Sequence, residues 1–187
     1  TGGVRRREGL MSEDAEFLAH VADAPEPMRV IAPLVLAEPL APTVAARRAG
    51  VKIDLEAVWL AYGEIASAHE VVVVEGIGGL LCPITEDGFR VADMAARMAL
   101  PLVIVARPDL GTINHTLLTL HAARSAGLRV AGVVVNRYRA DPLAQQTTAG
   151  NQPPVRDEDL AIYTNPAQIG ARGRVEVLAI VPEDAES

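Results

Sequence analysis

The sequence predicts a doubly wound α/β domain built on a mostly parallel sheet. Three observations carry that expectation. Short continuous runs of aliphatic, largely β-branched residues recur at 71–74, 102–105 and 130–135, with a weaker one at 177–181. Such runs suit strands buried on both faces. Between them, 91–99 and 113–126 have helical spacing, and strand–helix alternation is the mark of a parallel sheet covered by helices. A length of 187 residues with 50% hydrophobic content is enough for a single domain, 1–187, with a real core.

The elements follow in order. Ser12 is placed to cap a helix that carries Glu13 and Asp14 in its first turn and Phe17, Leu18 and Val21 on one face. Pro42 suits a helix start and Gly50 its end. From Asp54, the residues Leu55, Val58, Trp59, Tyr62 and Ile65 recur at i, i+3, i+4 and i+7, an amphipathic helix for a flat surface. The helix over 113–126 is closed by Gly127. The segment 139–156, rich in Gln, Thr, Gly and Asn with a Pro153-Pro154 pair, reads as an exposed irregular excursion within the domain.

Composition narrows the function classes. A net charge of −7 argues against a general nucleic-acid or anionic-membrane surface, and 3% aromatics against a base-stacking platform. Cys82 is the one cysteine, which excludes an internal disulfide and an all-cysteine metal site; a core thiol is its expected role. His20, His69, His115 and His121 lack zinc-ligand spacing. No apolar run approaches the ~20 residues of a membrane span, and no signal-peptide pattern opens the chain. The expectation is a cytoplasmic globular domain, and because Thr1 stands in place of an initiating methionine, a processed or cut piece.

In open parallel sheets, ligands bind beyond the carboxyl ends of the strands. Three strand ends here carry chemistry. After 71–74 comes Glu75-Gly76-Ile77-Gly78-Gly79: a carboxylate at a strand end, followed by glycines whose amides can approach an anion closely. A carboxylate beside such a nest suits magnesium, although a tight turn with a solvated acid remains open. Pro108-Asp109-Leu110-Gly111-Thr112-Ile113-Asn114-His115 joins a strand to a helix N-terminus, which favours a carboxylate or phosphate or is an ordinary helix start. Asn136-Arg137 follows a third strand, where a side-chain amide can read a nucleobase edge or simply occupy a turn. No G-x-x-x-x-G-K-[ST] and no G-x-G-x-x-G after a strand is present. Arg5-Arg6-Arg7 reads as a solvated loop, and Lys52, the single lysine, falls in a connection between helices.

Taken together, Val74-Glu75-Gly76-Ile77-Gly78-Gly79-Leu80-Leu81 and Leu110-Gly111-Thr112-Ile113-Asn114-His115-Thr116-Leu117-Leu118 resemble the dethiobiotin synthetase family. So do Ala37 to Pro42, Gly9 to Asp14 and Val133 to Arg137. The resemblance runs through nearly the whole chain in one register and is weakest across 139–160. It implies a P-loop NTPase type of fold whose first strand and lysine-bearing phosphate loop precede Thr1. The family's catalytic lysines then also precede Thr1, which leaves no catalytic residue in this chain, so the truncated piece is not expected to make dethiobiotin by itself. The C-terminus, too, is expected to be short of the family's last element.

The resemblance further implies a homodimer of biotin biosynthesis that closes the ureido ring of 7,8-diaminononanoate from carbon dioxide, ATP and magnesium through a phosphorylated carbamate. Carried over by motif, Asp14 and Glu75 hold magnesium. ATP lies against Glu75, Gly76, Ile77 and Gly78, with Asp14 beside its phosphates; Asn136 and Arg137 meet the adenine, and Val181, Pro182 and Glu183 close over it. Thr1 contacts the diamine end of the substrate, and Gly111, Thr112, Ile113 and Asn114 bind its carboxylate from the neighbouring subunit. Ile77 and Thr43 depart from the family's usual alanine and histidine. The alternatives are a related P-loop amidotransferase, a ParA-like ATPase domain, or a non-catalytic remnant of the fold.

Overall fold

The computed structural model describes residues 1–7, 9–139 and 157–183. It divides into two compact units, 1–91 and 92–187. All of the expected excursion except Arg139 lies outside the described residues.

The first unit opens with β1 (Val4–Arg6) and β2 (Gly9–Met11), an antiparallel hairpin in which Val4 faces Met11 and Arg6 faces Gly9. Of the arginine run expected as a loop, Arg5 and Arg6 are therefore in a strand. Helix α1 (Glu13–Val21) follows, and the Ser12 side chain accepts from Ala15 N at 3.3 Å, as its position predicts. Phe17, Leu18 and Val21 do not form a buried face: they are exposed, and Ala15 is the residue of α1 that is buried. After the short α2 (Met28–Ile31), α3 (Pro42–Ala49) begins on Pro42 and ends at Gly50, whose φ of 67° is the left-handed conformation that glycine adopts without Cβ strain. Helix α4 (Leu55–Ala68) is capped by Asp54, which accepts from Glu56 N at 2.9 Å. At its far end, the His69 ring meets the Glu26 carboxylate just before α2. That hydrogen bond holds the Glu26 carboxyl below its usual range.

The run 71–74 belongs to no strand and no ladder, with Val71 79% and Val73 88% exposed. The buried parallel strand expected there is not formed among the described residues. β-Branched composition favours an extended backbone, but a strand exists only when a neighbour takes up its N–H and C=O groups.

From α5 (Val91–Met98) the chain continues in the second unit through β3 (Leu102–Ala106), α6 (Thr112–Ser125), β4 (Val130–Tyr138), α7 (Asp157–Gly173) and β5 (Val177–Pro182). The three strands form a parallel sheet in the order β3-β4-β5. Ile104, Ala106, Val133 and Val135 point to one face and pack with Leu120 of α6 and Ile169 of α7 into a single core. Sequential strand order explains why both helices share that face, because right-handed crossovers taken in one direction stay on one side. A Cβ on Gly173 falls 2.7 Å from Leu120 Cδ1, so a glycine is what lets the end of α7 approach α6. The opposite face carries Val103, Val105, Leu178 and Ile180, all exposed. Three of the four expected strands thus assemble, with helices on one side of them. Among the described residues no helix is long and apolar enough to cross a membrane.

Helix α6 offers a clean stability contrast, since Leu120 is 1% exposed and Leu118 is 59% exposed. Leu120→Ala should cost about 2–5 kcal/mol, whereas Leu118→Ala should stay within about 0.5 kcal/mol. Urea unfolding of the two variants checks this.

Candidate functional site

A parallel sheet delivers all its strand-to-helix exits to one edge, and three of the sequence motifs meet there in the second unit. β3 runs into Arg107 and then a turn in which Thr112 N donates to Asp109 O at 3.1 Å. Gly111 N-caps α6 with φ 91°, and no side chain caps the helix or adds an acid to its first turn. The first-turn amides of Ile113 and Asn114 therefore face outward without a capping side chain, the arrangement in which a helix start attracts an anion. Arg107 Nη2 lies 3.4 Å from His115 Nδ1, which brings a guanidinium to the same turn.

The second exit is a bulge. Val135 pairs with Ile180 and Tyr138 with Pro182, so Asn136 and Arg137 oppose Val181 alone. Arg137 takes φ 58°, and its N–H donates to Asn136 Oδ1 at 2.9 Å. Bulges of this kind turn side chains away from the regular pleat and are common beside ligand sites. The third exit closes on the second: Glu183 N donates to Tyr138 O at 2.9 Å, and Arg139 Nε lies 3.6 Å from the Glu183 carboxylate. The fold thus brings Asn136, Arg137, Val181, Pro182 and Glu183 together, on the same sheet edge as Gly111 to Asn114.

Thr1, Asp14 and Glu75 to Gly78 belong to the first unit. Thr1 is exposed, next to Gly2 N, which donates to Glu38 O at 3.2 Å. Arg6 pairs with Glu13 and Glu16 of α1, and Asp14 between them stays exposed and outside those pairs. Glu75 is exposed at the end of the unpaired run, followed by a turn in which Gly78 has φ 68° and Cys82 N donates to Gly79 O at 2.9 Å. Cys82 is half-buried rather than a core thiol, and its sulfur lies 3.2 Å from where a Cβ on Gly78 would sit. Among the described residues, no group of three or more His, Cys, Asp or Glu side chains gathers for a metal. Asp14 and Glu75 offer hard, exposed carboxylate oxygens, a donor type that suits magnesium, which keeps several waters and takes one or two protein carboxylates. Lys52 lies elsewhere, on an open cleft of about 890 Å³ with Thr43, Arg47, Asp54, Glu86 and Asp87. There Arg47 pairs with Glu86 at 2.9 Å, and a hydrogen bond from Thr85 lowers the Asp87 carboxyl.

One residue that the motif reading passes over is Asn165 of α7. It is buried, and its side-chain amide donates to the carbonyls of Pro108 and Asp109, in the turn that opens α6. The local signal was an Asn-Pro pair inside a helix, since a proline there gives up a helical hydrogen bond.

An α/β unit with its motifs on the carboxyl edge of a parallel sheet is the ground plan of P-loop-type nucleotide-binding domains, and an AAA domain family matches residues 6–187. The chain is 40% identical over 169 residues to the ATP-dependent dethiobiotin synthetase BioD of Anaeromyxobacter sp. (strain K), covering 90% of this chain and 68% of that protein. It is 42% identical over 135 residues to the ATP-dependent dethiobiotin synthetase BioD of Bacillus licheniformis, covering 72% and 57%. That of Bacillus cereus (strain G9842) is 43% identical over 123 residues, covering 66% and 50%. The chain belongs to the dethiobiotin synthetase family and is by family a ligase of biotin biosynthesis.

The glycine turn yields a test of its geometry. Gly78→Ala forces a side chain into positive φ against Cys82, whereas a Cβ on Gly79 meets nothing within 4 Å. Gly78→Ala should cost about 1 kcal/mol or more and Gly79→Ala less than that. Thermal unfolding of both proteins checks the difference.

Proposed function

We propose that this protein closes the ureido ring of 7,8-diaminononanoate with carbon dioxide and ATP, as a homodimer. The observation that carries the reading is the α6 start: a helix N-terminus with no capping side chain and no acid, on the same sheet edge as the Asn136–Arg137 bulge. It suits a ligand with a carboxylate at one end, held by the amides of Gly111 to Asn114 across the subunit interface. The Asn136 amide and the Arg137 backbone suit a purine edge, with Val181 to Glu183 covering it. Thr1 contacts the diamine end.

The reaction needs no protein nucleophile. One substrate amine adds to carbon dioxide and loses a proton, giving a carbamate. A carbamate oxygen attacks the γ-phosphorus, and the bond to ADP breaks. The second amine then attacks the carbonyl carbon; the C–O bond to phosphate breaks, phosphate leaves with the electron pair, and the amine's proton passes to solvent. Phosphoryl transfer of this kind depends on positioning and on stabilising charge at the phosphoryl oxygens. Asp14 and Glu75 would hold a magnesium ion, which would supply part of that charge. The turn from Glu75 to Gly78 would lay backbone against the nucleotide; its glycines are also packed closely within the protein, a Cβ at Gly76 falling 3.2 Å from Val91 Cγ1.

Two variants of the full-length protein test the reading. Glu75→Ala should lower magnesium-dependent ATP turnover by about 10²-fold or more while leaving the far-ultraviolet circular dichroism unchanged. Turnover within a few-fold of the parent contradicts the metal assignment. Asn114→Asp puts a negative charge in the first turn of α6, where it should preserve or raise stability through the helix dipole. The same charge should raise the KM for the diamine about tenfold and leave the KM for ATP unchanged. An unchanged diamine KM removes the carboxylate from this turn.

A further inference from the structure

We infer that Asn165 is a positioning residue for substrate recognition: from α7 it holds the turn that aims the first amides of α6 at the substrate carboxylate. The inference rests on the proposed carboxylate site at Gly111 to Asn114. Asn165 is 4% exposed, and one NH2 group serves two successive carbonyls, Pro108 O at 2.7 Å and Asp109 O at 3.3 Å. Asp109 O also accepts from Thr112 N, the first residue of α6, so the side chain and the helix start share one acceptor. A displacement of that carbonyl therefore moves the helix start with it.

Between its ends, packing does not otherwise hold the turn. Leu110 is 79% exposed, Asp109 and Gly111 are exposed, and Gly111 sits at φ 91° with the conformational freedom of glycine. Pro108 and Thr112 at its two ends are buried. A buried amide stabilises less than an apolar side chain of similar size unless its hydrogen bonds are made. An asparagine in the core beside Pro166 thus marks a place where orientation, not burial, is what the side chain supplies. Amides that must converge on two carboxylate oxygens need such a fixed frame, because a misplacement of about 1 Å can cost up to 10²-fold.

The test compares Asn165→Ala, Asn165→Asp and the Asn114→Asp variant in the full-length protein. Asn165→Asp keeps the side-chain volume and removes the donor, which separates the hydrogen bonds from packing. Both Asn165 variants should raise the diamine KM about tenfold with kcat at saturation and the ATP KM within about twofold. Amide hydrogen exchange should quicken at 112–115 and stay unchanged over 117–125. Equal rises in both KM values, or unchanged exchange at 112–115, overturns the inference in favour of a structural role. If Asn114→Asp raises the diamine KM and the Asn165 variants do not, the carboxylate site stands and the positioning role falls. If none of the three changes it, the carboxylate reading itself falls and the inference with it.

Discussion

Everything that can be said of the site in the second unit depends on one constraint, the parallel pairing of β3, β4 and β5. Parallel strands need crossover helices, and a run of crossovers in one direction places α6 and α7 on the same face. That packing buries Ile104, Val133 and Val135 against Leu120 and Ile169. It also sends each strand exit to a common edge, so that a helix start, a two-residue bulge and the segment after β5 share that edge although they are far apart in sequence. None of the three alone identifies a ligand. Their chemistry is complementary: outward amides at one place, an amide side chain and a guanidinium at another, and a short closing segment beside it.

Local features were legible in the sequence because their causes are local. Ser12, Pro42, Gly50 and Asp54 sit where capping chemistry needs them, and the helices they bound are present. The runs at 102–105 and 130–135 became strands because each is the other's neighbour. The valines at 71–74 have the same composition and no neighbour among the described residues, so pairing, a non-local property, decided against composition. The hairpin from Val4 to Met11 was hidden for the opposite reason. Arginines carry little strand signal, yet an antiparallel register formed around them.

The candidate site divides along the same line. Gly111 to Asn114 and Asn136-Arg137 could be found because a motif places them just after an apolar run. The Asn-Pro pair marked Asn165 as unusual within its helix but not as part of the site, because its partners, Pro108 and Asp109, are 57 and 56 residues away in the chain. Side chains that hold a site in shape leave a weaker trace in sequence than the motifs that touch the ligand.

In the proposed reaction, ATP would activate a carboxyl group derived from carbon dioxide, and the leaving phosphate would depart with one of its oxygens. Transfer of label from carbon dioxide to phosphate tests this directly. The full-length protein is given magnesium-ATP, the diamine and carbon dioxide labelled with heavy oxygen, in unlabelled water and for a time short against exchange. The account predicts inorganic phosphate that carries one labelled oxygen per ring closed. Unlabelled phosphate alongside ring formation, or phosphate release that does not depend on the diamine, would contradict it.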